Sequence, residues 1–133
     1  MTAGARAVLT TGLRATVRAV VTEADTATAL GSGDVPVLGT PRLLALAETA
    51  TLAAIGSYLE PERTSVGTAV RMEHKRAAAV GEELVVEAEL TAVDGRRLEF
   101  SFVAWAGDPA ADLVVGAGTI ERVVVRRERF SGR

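Results

Sequence analysis

The stretch Pro41 to Leu59, PRLLALAETATLAAIGSYL, constrains this chain more than any other. It has no interior helix breaker until Gly56 and is apolar on nearly every side, interrupted only by Arg42, Glu48 and small polar residues. Thr40 suits the N-cap, Pro41 suits the first helical position, and Pro61 confirms the stop. A helix that is apolar all round is buried rather than laid on a surface. The rest of the chain must therefore cover it.

The remaining segments read with a period of two. Leu13 to Thr22 (LRATVRAVVT) is rich in β-branched residues and suits a strand. The following EADTATALGSGDVPVLG carries Gly31, Gly33 and Pro36 and reads as a loop over a site. After the helix, Thr64 to Ala77, Leu84 to Val93, Leu98 to Ala106 and Leu113 to Val125 read as strands, and Asp94-Gly95 is a hairpin signal. The order strand, helix, four strands predicts an α+β fold: one long buried helix wrapped by a curved antiparallel sheet of about five strands. A two-layer sandwich with the helix on an open sheet is the competing arrangement. Because one sheet face covers too little of such a helix, a homodimer or higher homo-oligomer is expected.

A length of 133 residues fits a single domain spanning the whole chain, with flexible ends at about 1–12 and 128–133. Apolar residues make up 48% and charged residues 24%, the balance of a packed globular protein. A net charge of −2 gives no pull toward nucleic acid, and no apolar run reaches the length of a membrane span or a secretory h-region, so a cytoplasmic protein is expected. With no cysteine and one histidine, neither a thiol nucleophile nor a multi-histidine metal site can be built.

Three residues stand out. Glu48 shares a helical stripe with Leu44, Leu52 and Ile55, so it is either a paired buried carboxylate or a sign that the helix turns this stripe toward a boundary or solvent. His74 alternates in phase with Val70 and Met72, away from Arg71, Glu73 and Lys75; it is either a core histidine satisfied by a carbonyl or a general base. Thr40 alone is explained as a cap worth about 1 kcal/mol. Together, a hydroxyl at a helix entrance, a carboxylate two turns on and a histidine from a strand form a nucleophile, orienter and base if they converge on one cleft. Backbone N–H groups at the helix start offer a site for an oxyanion. Gly67, seven residues before His74, marks a close backbone approach, a bulge or a kink. Arg126, Arg127 and Arg129 read as a solvated tail rather than a phosphate site.

In order and spacing, GTPRLLALAETA, SYLEP, SVGTAVRMEH, VDGRRLEF and GTIERVVV resemble the fluoroacetyl-CoA thioesterase family of the hot-dog-fold thioesterases, across about Leu13 to Phe130. The resemblance implies a homodimer with active sites at the subunit interface and hydrolysis of a small acyl-CoA thioester. No cofactor is implied beyond the coenzyme A of the substrate. It implies Thr40, Glu48 and His74 as catalytic residues and Gly67, Arg122, Val37 and Leu38 as substrate-binding residues. The family enzyme has a phenylalanine-bearing lid ahead of its threonine, whereas ALGSGDVPVLG has no aromatic residue, which argues against fluoroacetyl selectivity. The alternatives are a non-catalytic acyl-CoA-binding domain, an enoyl-thioester hydratase and a purely structural or interaction protein, against which an interior placement of Glu48 and His74 argues. The hydratases of this fold usually carry an aspartate and histidine close together on the helix, and this helix has neither.

Overall fold

The computed structural model describes residues 8–130; residues 1–7 and 131–133, parts of the ends expected to be flexible, lie outside the described residues. The chain forms β1 (Arg14–Val20), a one-turn helix α1 (Ala27–Leu30), the long helix α2 (Thr40–Ile55) and β2 (Arg63–His74). It ends with β3 (Glu83–Asp94), β4 (Arg97–Ala106) and β5 (Val114–Arg126). The five strands make one sheet in the order β1-β3-β4-β5-β2, with every neighbouring pair antiparallel. This is the helix-in-sheet arrangement expected of a hot-dog fold.

Alternation along the strands sets the inward face. On β4, Leu98, Phe100, Phe102, Ala104 and Ala106 are buried while the residues between them are not. They meet Leu43, Leu46, Ala47, Ala50, Ala54 and Ile55 of α2 in two adjoining apolar clusters, and Phe100 is fully buried. Register shifts at Gly67/Ala69, Leu90/Ala92 and Ala104/Trp105 interrupt three of the ladders. Such bulges bend a strand and raise its twist, which curves the sheet around the helix.

The hairpin signalled at Asp94-Gly95 joins β3 to β4: Asp94 closes the last ladder pair with Arg97, and the turn residues are Gly95 and Arg96, with Gly95 at φ +60; a glycine at the first turn position is what a type II′ hairpin requires. Other local expectations need correction. The segment read as a loop contains α1, capped by Thr26 Oγ1 accepting from Ala29 N–H at 3.2 Å and by left-handed Gly31. Backbone bonds tie the segment down: Ala27 N–H to Val37 O (2.8 Å), Leu38 N–H to Ala78 O (2.8 Å) and Gly39 N–H to Asp25 O (2.9 Å).

Burial of α2 is also less complete than its composition suggests. Ala45, Thr49, Leu52 and Ala53 share a face that the sheet leaves uncovered, and Leu52 is 42% exposed. Val70 is exposed too, because β2 is an edge strand. Arg127 is no free tail residue: its guanidinium donates to Pro61 O and Arg63 O.

Phe100→Ala removes the largest fully buried side chain and should cost about 3–5 kcal/mol. Urea denaturation should show the midpoint falling with the slope m unchanged.

Candidate functional site

Thr40 is not the cap of α2. The cap is Gly39, which makes no side-chain cap bond, and Thr40 and Pro41 lie in the first turn. The Thr40 hydroxyl is therefore free to turn sideways, and it lies 2.8 Å from His74 Nδ1. Position 39 is closely packed: a Cβ there would stand 2.8 Å from Leu30 Cδ1 and 3.2 Å from Ala27 Cα, so a larger residue would need Leu30 and Ala27 to give way. The lid thus seats directly on the helix start. Asp25 Oδ1, 3.0 Å from Arg42 Nε, adds an ion pair between lid and helix. That contact is charge pairing rather than an aligned hydrogen bond, since Arg42 Nε has no hydrogen-bond partner.

His74 ends β2, and Thr40, Val37 and Leu38 line a cleft of about 300 Å³ with it, closed by Ala27, Ser32, Lys75, Arg76 and Ala77. Leu38 is buried, while Thr40 is exposed at the mouth. Loss of hydration in this cleft lowers the His74 pKa, and a hydrogen bond with the Arg76 backbone restores only part of it. The ring is therefore neutral near pH 7. Its Nε2 is buried without a hydrogen-bond partner. At the helix start, Arg42 and Leu43 both donate to Gly39 O and Pro41 has no N–H, so the expected oxyanion donors reduce to the Thr40 N–H.

Glu48 belongs to a second cluster. Its carboxylate is 36% exposed, at a boundary rather than in the interior, and Oε2 accepts from Arg122 Nη1 at 3.4 Å. Arg122 itself is 5% exposed. Burial lowers its pKa, opposed by the charge of Glu48 and the hydrogen bond with it. Gly67 lies opposite Arg122 in the β2–β5 register, and a Cβ on it would stand 2.5 Å from Glu48 Oε2. Gly67 therefore makes room for the carboxylate and also borders a bulge.

Within one chain, then, the candidate residues form two groups: Thr40 and His74 with Val37 and Leu38, and Glu48 with Gly67 and Arg122. The eight residues from Thr40 to Glu48 correspond to a rise of about 12 Å along α2. Sequence reading missed Ser65, whose hydroxyl and carbonyl both accept from Arg122, and Lys75 and Arg76 in the cleft wall. Arg122 had a legible signal: it stands on an apolar phase between Ile120 and Val124. Among the described residues no group of three or more histidine, cysteine, aspartate or glutamate side chains is placed to hold a metal ion. No described helix is long and apolar enough to cross a membrane.

The fold and the family that the chain matches define a hot-dog-fold thioesterase, a thioester hydrolase. The family model described as fluoroacetyl-CoA-specific thioesterase matches residues 21–128, and the chain belongs to that family. It is 37% identical over 97 residues to the fluoroacetyl-CoA thioesterase of Streptantibioticus cattleyicolor, covering 73% of this chain and 67% of that one. A crystal structure of the fluoroacetyl-CoA-specific thioesterase superposes with a TM-score of 0.85 at 33% identity, covering 94% of both chains. A Thermus thermophilus hypothetical protein, a thioesterase superfamily member, superposes at 0.79 with 26% identity, covering 90% of this chain and 86% of that one.

The single histidine makes its titration unambiguous. By NMR its imidazole should titrate below the ordinary value of about 6.5. A folded-state pKa below the unfolded value means that stability is complete above about pH 6.5 and declines as the pH falls from there toward the folded pKa, which thermal unfolding across that window should show.

Proposed function

We propose that this acyl-CoA thioesterase hydrolyses small acyl-CoA thioesters to the free acid and coenzyme A, without selectivity for the fluoroacetyl group. In this reading Thr40, Glu48 and His74 are the catalytic groups, and Val37, Leu38, Gly67 and Arg122 surround the substrate. The observation that carries it is the 2.8 Å contact between Thr40 Oγ1 and His74 Nδ1 at the mouth of the cleft. A neutral imidazole there takes the proton of the attacking hydroxyl, Thr40's own or that of a water beside it. Attack places negative charge on the thioester oxygen, which the Thr40 N–H and the positive end of α2 stabilise. Collapse breaks the C–S bond, and the leaving thiolate takes the proton back from His74; where Thr40 is the attacking group, water deprotonated by His74 then attacks the ester left on Thr40, releasing the acid and returning the proton to the Thr40 oxygen. Water is the only co-reactant, so the chemistry asks for no cofactor.

A relative named for fluoroacetyl-CoA has also been solved, as a mutant, in complex with fluoroacetate and coenzyme A. The lid of the present chain, ALGSGDVPVLG, has no aromatic side chain to set against such a group. A cleft of about 300 Å³ sits at the small end of ligand sites, which favours short acyl chains. A chain without cysteine that acts on a coenzyme A thioester suits the cytoplasm.

The working unit in this reading is a homodimer or a higher homo-oligomer. A rise of about 12 Å puts Glu48 beyond reach of the Thr40–His74 pair in its own chain, so the three converge only when a second copy contributes. The twelve-residue edge strand β2 and the open face of α2 give that copy something to cover.

Thiol release should be followed on acetyl-, fluoroacetyl-, butyryl- and phenylacetyl-CoA. His74→Ala and Thr40→Ala should each lower kcat by roughly 10²–10⁴-fold, and acetyl and fluoroacetyl kcat/KM should agree within about tenfold. Coenzyme A binding with no turnover on any ester would instead support a binding domain. In a separate test of the shared site, Thr40→Ala and Glu48→Gln subunits, each inactive alone, should regain about a quarter of wild-type activity when mixed and reassembled, because half the dimers carry one intact site. A mixture as inactive as its parts would place the whole site within one chain.

A further inference from the structure

We infer that Ser65 is a positioning residue: it aims the Arg122 guanidinium at Glu48 and so fixes where that carboxylate stands. This rests on the reading of Glu48 as catalytic, and it adds a residue to that site. Of the twelve residues of β2, Ser65 is the buried one. Arg122 reaches it diagonally across the β2–β5 ladder, in which Gly67 rather than Ser65 lies directly opposite. Nε donates to Ser65 Oγ at 2.8 Å and Nη2 to Ser65 O at 3.0 Å, whereas Nη1 meets Glu48 Oε2 at 3.4 Å. The two shorter bonds are both to Ser65, so Ser65 sets the plane of the guanidinium and leaves Nη1 pointing at the carboxylate.

Removing the hydroxyl strands a buried N–H of a charged group. The guanidinium would swing to recover an acceptor, and Nη1 would lose its aim. Gly67 leaves the carboxylate room to follow, because no Cβ walls it in on that side. Ser65 therefore acts on Glu48 through Arg122 without touching substrate.

The test measures kcat and KM on acetyl-CoA and butyryl-CoA for Ser65→Ala, Ser65→Thr, Glu48→Gln and the double variant Ser65→Ala/Glu48→Gln, with circular dichroism to check folding. Glu48→Gln should lower kcat by about 10²-fold or more. Ser65→Ala should lower kcat about tenfold with KM little changed, and Ser65→Thr, which keeps the hydroxyl, should restore it. In the Glu48→Gln background Ser65→Ala should cost nothing further, since its effect runs through the missing carboxylate. An equal fractional loss in both backgrounds would make Ser65 a scaffold residue and overturn the inference. So would an unchanged kcat in Ser65→Ala beside a collapsed Glu48→Gln, which would leave the role of Glu48 intact. An unchanged kcat in Glu48→Gln would overturn the reading of Glu48 and the inference with it.

Discussion

Burial of α2 is the constraint from which the rest of this molecule follows. A sixteen-residue helix with apolar side chains on most sides loses free energy wherever a face stays wet, and each fully buried aliphatic or aromatic side chain returns about 1.5–3 kcal/mol. A flat sheet would cover one face. Three interruptions of the ladders let the five strands curl around the helix, and the face left over is what a second copy can cover. The same curl carries the end of β2 to the start of α2. The contact between Thr40 and His74 is thus a by-product of wrapping the helix, and it needs no dedicated loop to hold it.

Much of this was legible in the sequence because period and composition are local. The helix, its end near Gly56 and all five strands fall within a few residues of where alternation and breakers put them. The cap is not legible, because Thr40 and Gly39 are both acceptable there and only the tertiary partner His74 distinguishes them by holding the Thr40 hydroxyl. The turn α1 is not legible either, because a single turn is too short to display a helical period. Edge status was equally invisible. Val70 alternates as a core residue would, yet strand order leaves it exposed. Thr40 and His74 could be chosen from their chemistry together with the family resemblance, but Ser65 could not. A serine in a strand has no distinguishing pattern until the partner strand brings Arg122 across to it.

The two clusters have different electrostatic character. Around His74 the effect of burial is to disfavour the charged imidazole, which keeps the ring neutral near pH 7. Around Glu48 the buried charge on Arg122 is tolerated because a serine, a carbonyl and a carboxylate share it.

The attachment of the lid bears on how such enzymes diversify. Its backbone is fastened by main-chain bonds to Asp25, Val37 and Ala78 and by the seat of Gly39, none of which depends on which side chains face the cleft. Side chains such as Ser32 and Val37 can therefore be exchanged in a lineage without loosening the scaffold that carries them. The segment is built as a cassette, in which the side chains that face the cleft can change separately from the ability to fold.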